Sequence, residues 1–193
     1  MKKFICLFLC LGFLFTLAGC GESAPKCEHE HTTTIYEIDG LSIRKRVTCD
    51  DCEKEIEKTT VNKLQYVYDK VLVDESGIKC TLKNIELDGW STVTLNFEIE
   101  GTSDSKRTFN VDKTFIDGYD TTLWVYASEL ANNKKSNASE WLMDLKAEDF
   151  LANQDHEVEM NYSIINSDTY STLSENTFTF NLNEFTSIEE IKQ

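Results

Sequence analysis

Ser91-Thr92-Val93-Thr94-Leu95-Asn96-Phe97-Glu98-Ile99-Glu100 decides the fold, because from Thr92 onward its side chains alternate strictly between polar and apolar. Successive residues of a β-strand point to opposite faces, so Val93, Leu95, Phe97 and Ile99 share one face. Thr92, Thr94, Asn96 and Glu98 share the other. Such a strand buries one side and wets the other, as in an antiparallel sheet over a core.

The same period of two, with β-branched and aromatic residues and Gly, Asn or Asp turns, runs through residues 66–185. The pattern predicts strands over 66–73, 78–88, 91–100, 107–116, 121–127, 138–144, 158–166 and 176–183. Helical signals are confined to 146–151 and 187–191. Many short strands at regular spacing predict a mainly β chain with a β-sandwich as its main domain, followed by a short C-terminal tail at 186–193. In the second strand Cys80 shares a face with Ile78 and Leu82, which predicts a buried free thiol.

Ahead of the sandwich, Cys27-Glu28-His29-Glu30-His31 is followed at a distance by Cys49-Asp50-Asp51-Cys52. Two residues between Cys49 and Cys52 let both thiolates face one ion from a tight turn. Between the two clusters, 34–38 and 41–48 read as hairpin strands around Asp39-Gly40. Residues 27–60 are too few to bury a useful core, so bound metal would supply the folding energy. In an oxidising compartment the same cysteines also suit a disulfide or a thiol-redox pair. The strand-like surroundings are unlike the helix start that carries a redox Cys-x-x-Cys.

The cluster resembles a short zinc-ribbon-like module of Gram-positive surface proteins, built of a Cys-x-His pair, a hairpin and a Cys-x-x-Cys pair. The resemblance implies a structural zinc held by Cys27, His29, Cys49 and Cys52, with His31 offering a second imidazole in place of His29.

The N-terminus addresses location. Lys2 and Lys3 precede an apolar run from Phe4 to Leu17, and Leu17-Ala18-Gly19-Cys20 closes it. The run is shorter than the about 20 residues a membrane span needs, and its charge, apolar stretch and small residues are ordered as in a cleaved signal. The segment resembles a bacterial lipoprotein signal peptide with its lipobox. The resemblance implies removal of residues 1–19, diacylation of Cys20, a tether over 20–26 and anchoring on the extracytoplasmic face of the cell membrane.

Three stretches carry a further likeness: Ile78-Lys79-Cys80-Thr81-Leu82, Phe115-Ile116-Asp117-Gly118-Tyr119 and Asn166-Ser167-Asp168-Thr169-Tyr170. They resemble an immunoglobulin-like β-sandwich family of exported lipoproteins whose role is largely undefined. Gly101-Thr102-Ser103-Asp104-Ser105 departs from that family's asparagine-rich loop. The likeness implies a fold and brings no catalytic residues.

Charge narrows the partners. Acidic residues number 34 against 19 basic ones, a formal charge of −15, so a nucleic acid would be repelled. No nucleophile elbow, phosphate-binding glycine loop or His-Glu-x-x-His motif occurs, and His156, the one histidine outside the cluster, reads as an exposed loop residue. Aromatic residues are the better lead. Trp90, just after Asp88-Gly89, and Tyr119, just after Asp117-Gly118, are the candidate contact residues. Trp124 and Trp141 read as core. These features predict a non-enzymatic, lipid-anchored surface protein that binds another macromolecule. The alternative is an envelope thiol-redox or metal-handling protein using Cys49 and Cys52 with His29 and His31.

Overall fold

The computed structural model describes residues 27–121 and 125–191. The signal segment, the tether, Cys20 and Trp124 lie outside the described residues.

Thirteen strands and one short helix are described, and every strand pairing is antiparallel. A three-stranded sheet comes first: β1 (Thr32–Asp39), β2 (Ser42–Cys49) and β3 (Glu55–Val61), in that order. Asp39 pairs with Ser42, leaving Gly40 and Leu41 as the loop. Gly40 sits at φ +66°, the positive φ that a two-residue hairpin loop requires. The chain then passes through Asn62 into β4 (Lys63–Glu75), which pairs with β5 (Ile78–Asp88).

The remaining strands are β6 (Val93–Gly101), β7 (Arg107–Ile116), β8 (Tyr119–Thr121), β9 (Tyr126–Leu130), β10 (Lys135–Trp141), β11 (Glu157–Asn166), β12 (Thr172–Asn181) and β13 (Ser187–Ile191); α1 spans Ala147–Ala152. One sheet runs β10-β6-β5-β4-β13. The other runs β12-β11-β7-β8, with β9 also paired to β7. The mainly β class expected from the alternation is the class observed.

The quoted strand behaves as its pattern dictates: Val93, Leu95, Phe97 and Ile99 are buried, and the residues between them are half-buried. In β5 the register shifts between Leu82 and Asn84, so burial passes from Ile78, Cys80 and Leu82 to Ile85 and Leu87 without losing the core face. Cys80 is a fully buried free thiol, and burial pushes its pKa up to about 12.

The two sheets bury a common core with Phe109, Phe150, Met160 and Ile164. Ile43 of β2 and Val61 at the end of β3 belong to that same core, and Tyr36 and Ile38 pack against it. The small sheet is thereby built into the sandwich at its Gly40 end. Gly89 marks the closest approach, since a Cβ there would fall onto the Leu41 carbonyl.

Three elements differ from expectation. Where one strand is expected over 121–127, β8 ends at Thr121 and β9 begins at Tyr126, with Val125 outside either strand. Ser187–Ile191, expected as a turn of helix, is instead an edge strand: it pairs with β4 from Val67 back to Lys63. Completing that sheet edge outweighs the weak local helical preference. The strand β3 was not apparent in the sequence because Glu55, Ile56, Lys58, Thr59 and Thr60 are all exposed and only Val61 is buried.

Candidate metal centre

Cys27 and His29 lie in irregular chain just before β1, Cys49 is the last residue of β2, and Cys52 lies in the turn leading to β3. The antiparallel pairing of Thr32 with Cys49 brings the two ends together. The turn is closed by backbone hydrogen bonds: the Cys49 N–H donates to the Lys54 carbonyl at 3.0 Å and the Glu53 N–H to the Cys49 carbonyl at 2.9 Å. The Asp50 N–H donates to the His31 carbonyl at 3.0 Å, and the Thr33 hydroxyl to the Asp50 carboxylate at 2.7 Å. His29 and Glu53 occupy the left-handed region, at φ +58° and +56°. The chain therefore departs from regular extended backbone on both arms of the knuckle, where ligands must converge.

One donor atom each from Cys27, His29, Cys49 and Cys52 lies within 4.8 Å of all the others. The Cys27 and Cys49 sulfurs are 3.4 Å apart, and Cys52 Sγ is 3.6 Å from His29 Nδ1. Metal–sulfur bonds of about 2.3 Å and metal–nitrogen bonds of about 2.0 Å in a tetrahedron place neighbouring donors about 3.5–3.8 Å apart. The donor set fits a metal ion. All four cysteines of residues 27–191 are free thiols.

The electrostatics favour a thiolate at the buried corner. Hydrogen bonding to His29 draws the Cys49 pKa down to about 6, with hydrogen bonds from Cys27 and the backbone at Cys52 and Asp51 adding to it. The His29 backbone N–H also pulls Cys27 down, but hydrogen bonding to Cys49 and Cys52 outweighs it and lifts Cys27 to about 11. The proton is thus concentrated on one sulfur while another is ready to coordinate.

His31 stands apart from the four donors. Its Nδ1 lies 3.2 Å from Asp51 Oδ2, and both side chains are exposed. His29 is the imidazole that the fold brings to the cysteines.

The contact candidates fall in different places. Trp90 is exposed in the turn between β5 and β6, and Tyr119 is exposed at the start of β8 in the other sheet. Trp141, expected in the core, is exposed: in β10 it shares its phase with Lys135, Asn137 and Ser139, while Ala138 faces the core. The polar character of those neighbours was the available signal. His156 is half-buried rather than fully exposed. Its Nδ1 lies 2.7 Å from Asp117 Oδ2, and Asp117 Oδ1 accepts the Glu157 N–H at 2.9 Å, so the pair fastens the β7–β8 turn to the start of β11.

Among the described residues no helix is long and apolar enough to cross a membrane. Comparison of the chain with models of known protein families, with curated proteins and with solved structures finds no match in any of the three.

Proposed function

We propose that this chain is a lipid-anchored surface protein without enzymatic activity, in which a structural zinc stiffens the stem and the sandwich binds another macromolecule. The observation that carries this reading is the placement of the four donors. They lie at one end of a three-stranded sheet whose other end is part of the sandwich core. Strands of eight residues separate the two ends by about 25 Å. A membrane anchor at Cys20 would enter through Cys27, next to the ion, so metal would hold the sheet upright between membrane and sandwich.

Zinc suits three sulfurs and one imidazole, and four protein ligands leave no position for a reacting water, which favours a structural ion. The thiol-redox alternative draws on the exposure of Cys52 and the lowered Cys49 pKa. Against it, Cys49 is buried, and a thiolate without access cannot attack an external disulfide.

The test has two parts. Cys20→Ala is expected to leave the protein unprocessed or shed, whereas retention like wild type removes the anchor. The purified protein is expected to sediment with an envelope preparation, and Trp90→Ala to reduce that sedimentation. Equal sedimentation of both removes Trp90 from the binding surface.

A further inference from the structure

Trp90 and Trp141 line one open cleft of about 570 Å3 on the outer face of the sheet formed by β10, β6, β5, β4 and β13. Their exposures are 71% and 64%, so most of each indole is available to a ligand. Between them the floor is polar: Thr94 pairs with Trp141 across the strands, and Asn96 pairs with Ser139.

That floor is held in place. The Ser139 hydroxyl donates to Asn96 Oδ1 at 2.6 Å, and Asn96 Nδ2 donates to Asn84 Oδ1 at 2.7 Å. Trp90 is also fixed by its turn, because Asp88 Oδ1 accepts the Trp90 N–H at 2.9 Å and the Thr92 N–H at 3.2 Å. Behind this turn Gly89 abuts the Leu41 backbone, and the Ala147 N–H donates to the Ser91 carbonyl at 3.2 Å. A pre-set turn spares a ligand the entropy of ordering it.

Charge restricts the ligand. Lys63 is the cation lining the cleft, and its Nζ is 2.6 Å from Glu86 Oε1, so it is already matched. Asp88 adds a carboxylate, and an anion would meet repulsion. A large apolar partner would find indoles at the rim but hydroxyls and amides between them, leaving those polar groups buried and unpaired. A chain of neutral sugars carries the complementary surface, with apolar C–H faces for the indoles and hydroxyl edges for the floor.

We propose that the Trp90–Trp141 cleft binds a neutral glycan chain, with the two indoles stacked on sugar rings and the hydroxyl, amide and carboxylate groups between them bonding sugar hydroxyls. The Thr92 and Thr94 hydroxyls line the cleft, and each carries a donor for a sugar oxygen. This assignment rests on the reading of the chain as a binder of macromolecules and names the chemistry of what is bound.

The test is binding of the purified protein to neutral oligosaccharides of glucose, mannose, galactose, xylose and N-acetylglucosamine, with heparin and oligolysine as charged probes. Binding to at least one neutral series is expected, with a change in tryptophan emission. Trp90→Ala and Trp141→Ala should each weaken it about 10-fold while Tyr170→Ala binds like the parent. No neutral series bound at low millimolar concentration would overturn the proposal, as would binding that both tryptophan variants leave unchanged. Tryptophan-dependent binding of oligolysine or heparin alone would also overturn it, yet would leave the macromolecule-binding reading standing; only loss of envelope sedimentation as a property of the parent protein removes that reading.

Discussion

The Tyr36 hydroxyl donates to Glu190 Oε1 at 2.9 Å, joining the first strand of the three-stranded sheet to the last strand of the sandwich. Lys45 of β2 reaches the same carboxylate oxygen at 2.9 Å. Burial, followed by the hydrogen bond to Glu190, raises the Tyr36 pKa to about 12, so the hydroxyl stays protonated and remains a donor at neutral pH. Glu190→Gln weakens both contacts at once. The expected result is a loss of about 1 kcal/mol in denaturant unfolding, with a single transition retained for both parts of the protein.

Gly89 tests how tightly the small sheet is seated. Gly89→Ala drives a methyl into the Leu41 backbone, which cannot rotate away as a side chain could. A destabilisation of about 1–3 kcal/mol is expected, together with faster amide exchange in the Asp39–Ser42 loop. An unchanged melting temperature would mean that the Gly40 end is not packed as described.

Acidification should weaken the fold through two carboxylates. Hydrogen bonding to His156 holds Asp117 below the ordinary carboxylate range, and hydrogen bonds from Ser174, then Tyr162 and Asn176, do the same for Glu75. A folded pKa below the unfolded value contributes stability that is present above about pH 4 and is lost as pH falls through the folded value. Asp117→Asn and Glu75→Gln should therefore flatten the stability profile below about pH 4.5, and chemical unfolding at stepped pH measures this. Profiles parallel to that of the parent would contradict the assignment.

Much of this architecture is legible in the sequence, and the exceptions have physical causes. The alternation of 91–100 and the Cys80 face follow directly from a buried sheet with period two. The four donors are legible from spacing and resemblance, but that His29 rather than His31 lies among the cysteines follows from the path of the chain before β1, which no spacing reveals. β3 and β13 are hidden because edge strands bury little, and their charged residues look like loop or helix. Trp141 departs from its expected place because a tryptophan in an alternating stretch suggests a core, whereas Asn137 and Ser139 set its phase outward.

The histidine choice has its own test. His29→Ala is expected to lose bound metal and His31→Ala to retain it, measured as zinc per chain after gel filtration. The reverse pattern would exchange their roles.

Elemental analysis combined with native mass spectrometry of the purified protein tests the central claim most directly. One zinc per chain is expected, released by Cys49→Ser and by chelation, with all four thiols of Cys27, Cys49, Cys52 and Cys80 reactive after denaturation in chelator. A metal-free chain two hydrogen atoms lighter than the reduced mass, with two of those thiols unreactive, would contradict it and put a disulfide at the cluster instead.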